Sequence, residues 1–304
     1  MLSSDYNSSD PHFFDDTLQK INQIFDSVSA ELKSAGDQKA LNKLRAQFVP
    51  GKMLRTRLGM ALNSLNSQTR SEMIASCAAT ELIHSATLFH DDVIDGASLR
   101  RRNPTLWREI GPTGAILMGD LFFSSALQLI IGYGKIDRVS SFVDKVREVC
   151  ATEMIHELVY RDREIDIETC IKVARGKTGP LFAYVAETSG GSDEKKAQLL
   201  NEVGYKLGTA YQLADDLIDV LGDEERIGKT LGTDRKRRKF TLAQSEKSFS
   251  EAFIQEKVIS MCNSALKLTS KWPELTSSLE KYICGDLFPF WELNLNLIGE
   301  STVV

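Results

Sequence analysis

Apolar residues return every three or four positions along this chain, and no run alternates apolar with polar residues for a useful length. That pattern leaves helices as the building material. Leu18, Ile21, Ile24, Phe25, Val28 and Leu32 form the first stripe, ended by Gly36-Asp37. The same spacing predicts helices over 41–48, 54–63, 71–93 with Ser71 as its cap, 113–131, 139–160, 167–188, 193–220, 250–268, 274–284 and 290–297. Punctuation agrees. An all-β chain needs a turn every 8–12 residues or so, and 7 prolines and 20 glycines in 304 residues are too few. Asn103-Pro104 and Gly111-Pro112 mark breaks. Pro180 predicts a kink or restart in its helix, and Gly204 and Gly208 predict a weakened one. Residues 223–238 read as a charged loop. With no repeat and no Gly/Ser-rich or Pro-rich linker, the expectation is all-α: one domain over 1–304, a bundle of roughly ten or more helices, with 1–14 a loose arm.

Charge and cysteines narrow the function classes. A net charge of −5 argues against a general nucleic-acid binder. Five scattered cysteines without a CxxC pair indicate neither a disulfide framework nor a zinc site, and fit a reducing cytoplasm. The N-terminal MLSSDYNSSDPHFFDD lacks the basic and apolar parts of a secretion signal. The most apolar stretch, 114–134, is interrupted by Asp120 and leaves 14 residues beyond it. A spanning helix needs about 20, so a buried core helix and no membrane span are expected; peripheral membrane association stays open.

Two aspartate clusters carry the chemistry: Asp91-Asp92-Val93-Ile94-Asp95 and Asp215-Asp216-Leu217-Ile218-Asp219, both DDxxD. With 21 aspartates, chance placement gives roughly 0.1 such motif in the chain. On a helix, Asp91 and Asp95 share a face with His84, and Gln212, Asp215 and Asp219 line up likewise. Like charges four apart destabilise a helix by a few tenths of a kcal/mol, so a hard cation is the natural partner. Mg²⁺ commonly takes one or two carboxylates plus substrate phosphates. A solvated acidic helix face is the alternative, and the apolar surroundings of both copies argue against it.

Cations lie nearby in sequence. Lys52 and Arg55 open a helix; Arg100-Arg101-Arg102 follow the first cluster; Lys177-Thr178 sits mid-chain; Lys229 and Lys239 flank Asp234. Arginine offers phosphate a bidentate fork, and lysine a point charge. Arg235, Arg237 and Arg238 fit a plain basic surface loop. His12 and His156 read as structural or surface residues. His90 points about 100° away from Asp91, either as packing or as support for it.

Together these segments resemble the trans-prenyl diphosphate synthase family. Gly51 to Arg55 (GKMLR), ELIHSATLFHDDVIDGASLRR over 81–101, Gly119-Asp120, Lys177-Thr178, YQLADDLID over 211–219, GKTLGTD over 228–234 and KFTL over 239–242 occur in the family's order. The resemblance runs from about Phe48 to Leu242 and implies an all-α fold around an apolar cavity. It implies Mg²⁺ between the two motifs, with Asp91, Asp95 and Asp215 as the main ligands and Asp92, Asp216 and Asp219 in support. Asp91, Asp95, Asp215 and Lys177 are then the catalytic set. Lys52, Arg55, His84 and Arg101 hold the diphosphate of isopentenyl diphosphate. Arg100, Lys177, Thr178, Gln212, Lys229 and Lys239 hold that of an allylic prenyl diphosphate. The allylic substrate ionises, isopentenyl diphosphate adds head-to-tail, and the departing diphosphate takes the proton.

The chain departs from the family pattern in places. Thr152-Glu153-Met154-Ile155-His156 replaces a common Gly-Glu-x-x-Gln, Arg235 to Lys239 replaces LREGK, Ala243 stands where proline often follows, and the C-terminal STVV lacks a basic tail. Product length in the family follows bulk upstream of the first motif. Ala86 and Thr87 are small there, implying a medium-to-long all-trans product, with Phe122 and Phe123 as a deeper floor. A farnesyl or geranylgeranyl diphosphate synthase is the nearest rival. A class I terpene cyclase is disfavoured by the second DDxxD, and a regulatory subunit by the presence of both motifs. The apolar helix over 113–131 implies a homodimer.

Overall fold

The structure, a computed structural model, describes residues 12–34, 51–62, 67–100, 103–133, 135–221, 251–289 and 291. The predicted helices over 41–48 and 290–297 (Trp291 apart), the charged loop over 223–238, Arg101, Lys229 and Lys239 lie outside the described residues.

Helix α1 (Phe13–Ser34) begins inside the expected N-terminal arm. Phe13 is buried in the core, and Asp15 and Asp16 occupy the first turn, where acidic groups favour a helix start. Helix α2 (Leu54–Leu62) is short and mostly buried. Helix α3 (Ser67–Asp95) starts four residues before Ser71 and ends on the first aspartate motif. A two-residue antiparallel pair, Leu99–Arg100 with Asn103–Pro104, leads into α4 (Leu106–Tyr133). The expected break at Gly111-Pro112 is present as a bend within α4: Gly111 has φ 80° and ψ 162°, a region open to glycine alone.

Helix α5 (Ile136–Ile155) passes into a π-helical turn, His156–Tyr160, where one continuous helix was expected. Helices α6 (Ile167–Ser189), α7 (Glu194–Leu221), α8 (Glu251–Thr269) and α9 (Pro273–Tyr282) complete the described bundle, and a second π turn, Ile283–Leu287, follows α9.

Two large packed cores involve α6, beside a smaller cluster of Phe13, Met73, Ile74, Cys77 and Val185. One joins α2, α7, α8 and α9 and takes Cys170, Ala174, Phe182 and Ala186 from α6. The other joins α1, α3, α4 and α5 and takes Leu181 and Tyr184. Helix α6 runs unbroken through Pro180, against the expected kink. Every residue from Thr178 to Ala186 is buried, so packing on both sides offsets the missing hydrogen bond. Helix α7 likewise runs through Gly204 and Gly208. A Cβ at Gly204 would overlap the backbone of Ala183, and one at Gly208 the backbone of Gly179. These glycines let α6 and α7 meet backbone to backbone.

Helix α4 is long and apolar enough to cross a membrane by length and composition, because one aspartate does not end its apolar run. In the bundle it buries Ala115, Met118, Phe122, Ala126, Leu129 and Ile130 against its neighbours.

Candidate active site

The first motif ends α3 in a tight cap. Gly96 takes φ 63°, its N–H reaches Val93 O at 3.3 Å, and Ala97 N–H reaches Asp92 O at 3.1 Å. Thr105 Oγ1 and Trp107 Nε1 both donate to Ala97 O at 2.7 Å and hold the turn. The chain therefore doubles back and delivers Arg100 onto Asp92. Arg100 Nε and Nη2 donate to Asp92 Oδ1 at 2.9 and 2.8 Å. Burial by itself would lower the basicity of this guanidinium. The bond to Asp92 and the charges of Asp92, Asp91 and Asp215 raise it instead. Asp91 and Asp215 belong to different motifs, so both motifs lie within electrostatic reach of Arg100. Asp92 is buried, while Asp91, Asp95, Asp215 and Asp219 are half-buried.

On the other wall, Gln212 Nε2 donates to Asp216 Oδ1 at 2.7 Å, and Thr178 Oγ1 donates to Gln212 Oε1. Gln212 thus turns to Asp216, one helical turn along, although its spacing also aligned it with Asp215 and Asp219. Lys177 Nζ lies 3.0 Å from Glu153 Oε2 on α5. The cleft beside them is lined by His156, Cys170, Lys177, Gln212 and Asp216 among others. Burial pushes the Cys170 thiol up to about 12, helped by the charges of Asp216 and Asp166. Burial and Asp91 likewise raise the Cys150 thiol. Both stay protonated near neutral pH and offer no thiolate nucleophile.

The remaining expected residues divide clearly. Lys52 is exposed at the start of α2, and Arg55 is buried with its guanidinium 5.0 Å over the Phe182 ring. Arg55 Nε has no hydrogen-bond partner among the described residues, an arrangement that suits an incoming anion. His84 is half-buried. Ala86 and Phe122 are fully buried in one core, and Phe89 and Phe122 meet at 5.5 Å between ring centroids. Thr87 and Phe123 are half-buried. His90 turns to α4: its Nε2 lies 3.1 Å from Ile116 O and 3.3 Å from Asp120 Oδ1. It packs where a Cβ at Gly119 would stand, which accounts for the Gly119-Asp120 pair.

Among the described residues, no three His, Cys, Asp or Glu side chains gather into a metal cage. A hard cation shared with substrate phosphate needs none, since one or two carboxylates suffice for Mg²⁺. The donor set suits it: carboxylate oxygens, with a pair on one face of α3 and further aspartates at the end of α7.

Sequence reasoning placed His156 as structural or surface. It is buried and lines the cleft with Lys177. Glu153, which holds Lys177, is likewise not among the residues that spacing singles out. Their position in the segment matching Gly-Glu-x-x-Gln was the available signal.

Residues 38–260 match the family model described as polyprenyl synthetase. The chain belongs to the polyprenyl synthetase family. It is therefore a prenyltransferase. It is 30% identical over 236 residues to the octaprenyl diphosphate synthase of Escherichia coli (strain K12), covering 74% of this chain and 73% of that protein. It is 32% identical over 204 residues to the geranylgeranyl diphosphate synthase of Methanosarcina mazei, covering 63% and 62%. Its fold is similar to that of the Helicobacter pylori geranyltransferase solved with magnesium and isoprenyl diphosphate. The TM-score there is 0.71 at 20% identity, over 90% of this chain and 98% of that one.

Proposed function

We propose that this polyprenyl synthetase joins isopentenyl diphosphate head-to-tail to an allylic prenyl diphosphate, with Mg²⁺, to make a medium-to-long all-trans polyprenyl diphosphate. The observation that carries this reading is the bond from Arg100 to Asp92 of the first motif, with Asp215 of the second within electrostatic reach. Asp91, Asp95, Asp215 and Asp219 are the residues that would hold Mg²⁺, which supplies Lewis-acid charge to the leaving diphosphate. Asp92 and Asp216 orient Arg100 and Gln212 toward the same space. Arg100, Lys177, Thr178 and Gln212 bind the allylic diphosphate and stabilise its charge as the C–O bond breaks. Lys52, Arg55 and His84 bind isopentenyl diphosphate, whose double bond attacks the allylic carbon. The proton lost from the adduct passes to an oxygen of the departed diphosphate. The apolar interior around Phe89 and Phe122 keeps water from the cationic carbon.

The medium-to-long product rests on Ala86 and Thr87, which leave the level below Asp91 narrow in bulk, and on the octaprenyl relative. A homodimer is supported by the apolar side chains exposed on two helices: Ile116, Leu117 and Ile131 on α4, and Val143 and Met154 on α5. The deciding experiment incubates the protein with labelled isopentenyl diphosphate, Mg²⁺ and each allylic primer in turn, then separates the dephosphorylated products. Chains beyond four isoprene units are expected. Geranylgeranyl diphosphate as the end product would replace the long-chain reading, and no elongation would overturn the activity.

A further inference from the structure

Arg55 lies in the first turn of α2 and Lys52 two residues before it, yet this helix start is poorly capped by its own sequence. The residue before it, Met53, is buried in the left-handed region at φ 49°, which a non-glycine residue adopts only when its surroundings impose it. Methionine has no oxygen to accept the N–H groups that a helix start leaves open.

Two other helices hold this turn, α3 by supplying the missing acceptor and α9 by a bond to a backbone carbonyl. Glu81, buried on α3, accepts from Thr56 N–H at 3.3 Å and from Thr56 Oγ1 at 3.2 Å. Thr56 is the third residue of α2, whose N–H a capping side chain ordinarily takes. Tyr282, fully buried on α9, donates its hydroxyl to Leu54 O at 3.0 Å. Burial pushes the Tyr282 phenol well above its ordinary value, so it keeps that proton; Arg55 pulls the other way, and Glu81 adds to the rise. Arg55 and Glu81 thus both lie within electrostatic reach of the Tyr282 hydroxyl.

We propose that Glu81 and Tyr282 are positioning residues that clamp the first turn of α2 from two sides and set where Lys52 and Arg55 meet the diphosphate of isopentenyl diphosphate. The inference rests on the function proposed above. It explains why a buried carboxylate stands three residues before His84 and beside cations meant for a phosphate. The helix start absorbs its charge, and the clamp holds Arg55 over Phe182.

The test is steady-state kinetics of Glu81→Ala, Glu81→Gln and Tyr282→Phe, varying each substrate separately, with thermal unfolding as the control for folding. Glu81→Ala should raise KM for isopentenyl diphosphate roughly tenfold and leave KM for the allylic primer within about twofold. Glu81→Gln keeps an oxygen acceptor and should restore most of the loss. Tyr282→Phe should raise the same KM by a smaller factor. A residue that only supports the fold would lower the melting temperature or the active fraction without this split. Equal effects on both substrates, or an unchanged KM for isopentenyl diphosphate, overturn the clamp. If Glu81→Ala does not fold, the isosteric Tyr282→Phe decides by the same criterion. Wild-type protein that elongates no primer overturns the functional reading and the clamp with it; active wild type with unselective variants overturns the clamp alone.

Discussion

Arg100 grips Asp92 through two nitrogens that share one carboxylate oxygen, Nε at 2.9 Å and Nη2 at 2.8 Å from Oδ1. The second aspartate of the first motif is thereby committed to an arginine, while Asp91 and Asp95 lie on either side of it in sequence. Loss of each should therefore read differently. Asp92→Asn should lower stability by about 1–3 kcal/mol, because a guanidinium is left beside a neutral partner. Asp91→Ala and Asp215→Ala should keep the melting temperature within a few degrees and cut turnover by several orders of magnitude. Thermal unfolding and initial rates on the three variants check this, and near-normal activity in folded Asp215→Ala would sink the two-motif mechanism.

The two diphosphate pockets should separate by mutation. Lys52→Ala or Arg55→Ala should act mostly on KM for isopentenyl diphosphate, and Lys177→Ala on the allylic substrate, each by roughly 1.5–3 kcal/mol. Glu153→Gln should follow Lys177→Ala in milder form, since Glu153 holds that lysine at 3.0 Å. Substrate titrations on the four variants would reveal a wrong assignment as equal effects on both KM values.

Product length tests the floor. Ala86 lies five residues before Asp91, about 7.5 Å along the helix axis. Ala86→Phe should stop elongation early while the first condensation survives. Phe122→Ala should cost roughly 3–5 kcal/mol as a core truncation, and it should lengthen products if Phe122 is the present limit. Chromatography of the products distinguishes the two, and an unchanged distribution in Ala86→Phe would remove the long-chain reading.

A pH dependence of stability is expected from the second π turn. Burial pushes the Asp286 carboxyl from its ordinary 3.8 up to about 7. Arg57 Nη1, paired with Asp286 Oδ1 at 3.4 Å, opposes that rise, and burial outweighs it. The folded state then binds a proton that the unfolded state has released between pH 3.8 and about 7. Stability from this group is fully present below the lower value and is lost as pH rises through the upper one. Asp286→Asn should raise the melting temperature at pH 8 relative to wild type and flatten its change between pH 4 and 7, as measured by thermal unfolding. A wild-type difference that survives the substitution unchanged would assign the effect elsewhere.

Association should depend on the apolar face of α4 and α5. Wild type should be a dimer at micromolar concentration by light scattering. Leu117→Glu, at a side chain 62% exposed, should shift it toward monomer without loss of helicity. A monomeric wild type would refute the dimer.

The sequence by itself determined the helices and which side chains share their faces. A period of 3.6 residues reports a helix and its faces without any partner, so the stripe at Ile21, Phe25 and Val28 and the pairing of Asp91 with Asp95 were legible from one chain. What lay across from each face was not. Pro180 and Gly204 read as helix faults because propensity treats each helix alone, whereas burial on both sides of α6 and a backbone contact with Ala183 decide the outcome. His156 looked idle until the π turn carried it into the cleft beside Lys177. Spacing gives no sign that Arg100 pairs with Asp92; the cap at Gly96 brings the two together. The start of α2 depends on Glu81 and on Tyr282, 228 residues from Leu54. Hydrogen bonds between distant residues follow from how whole helices pack, and local spacing carries no record of that.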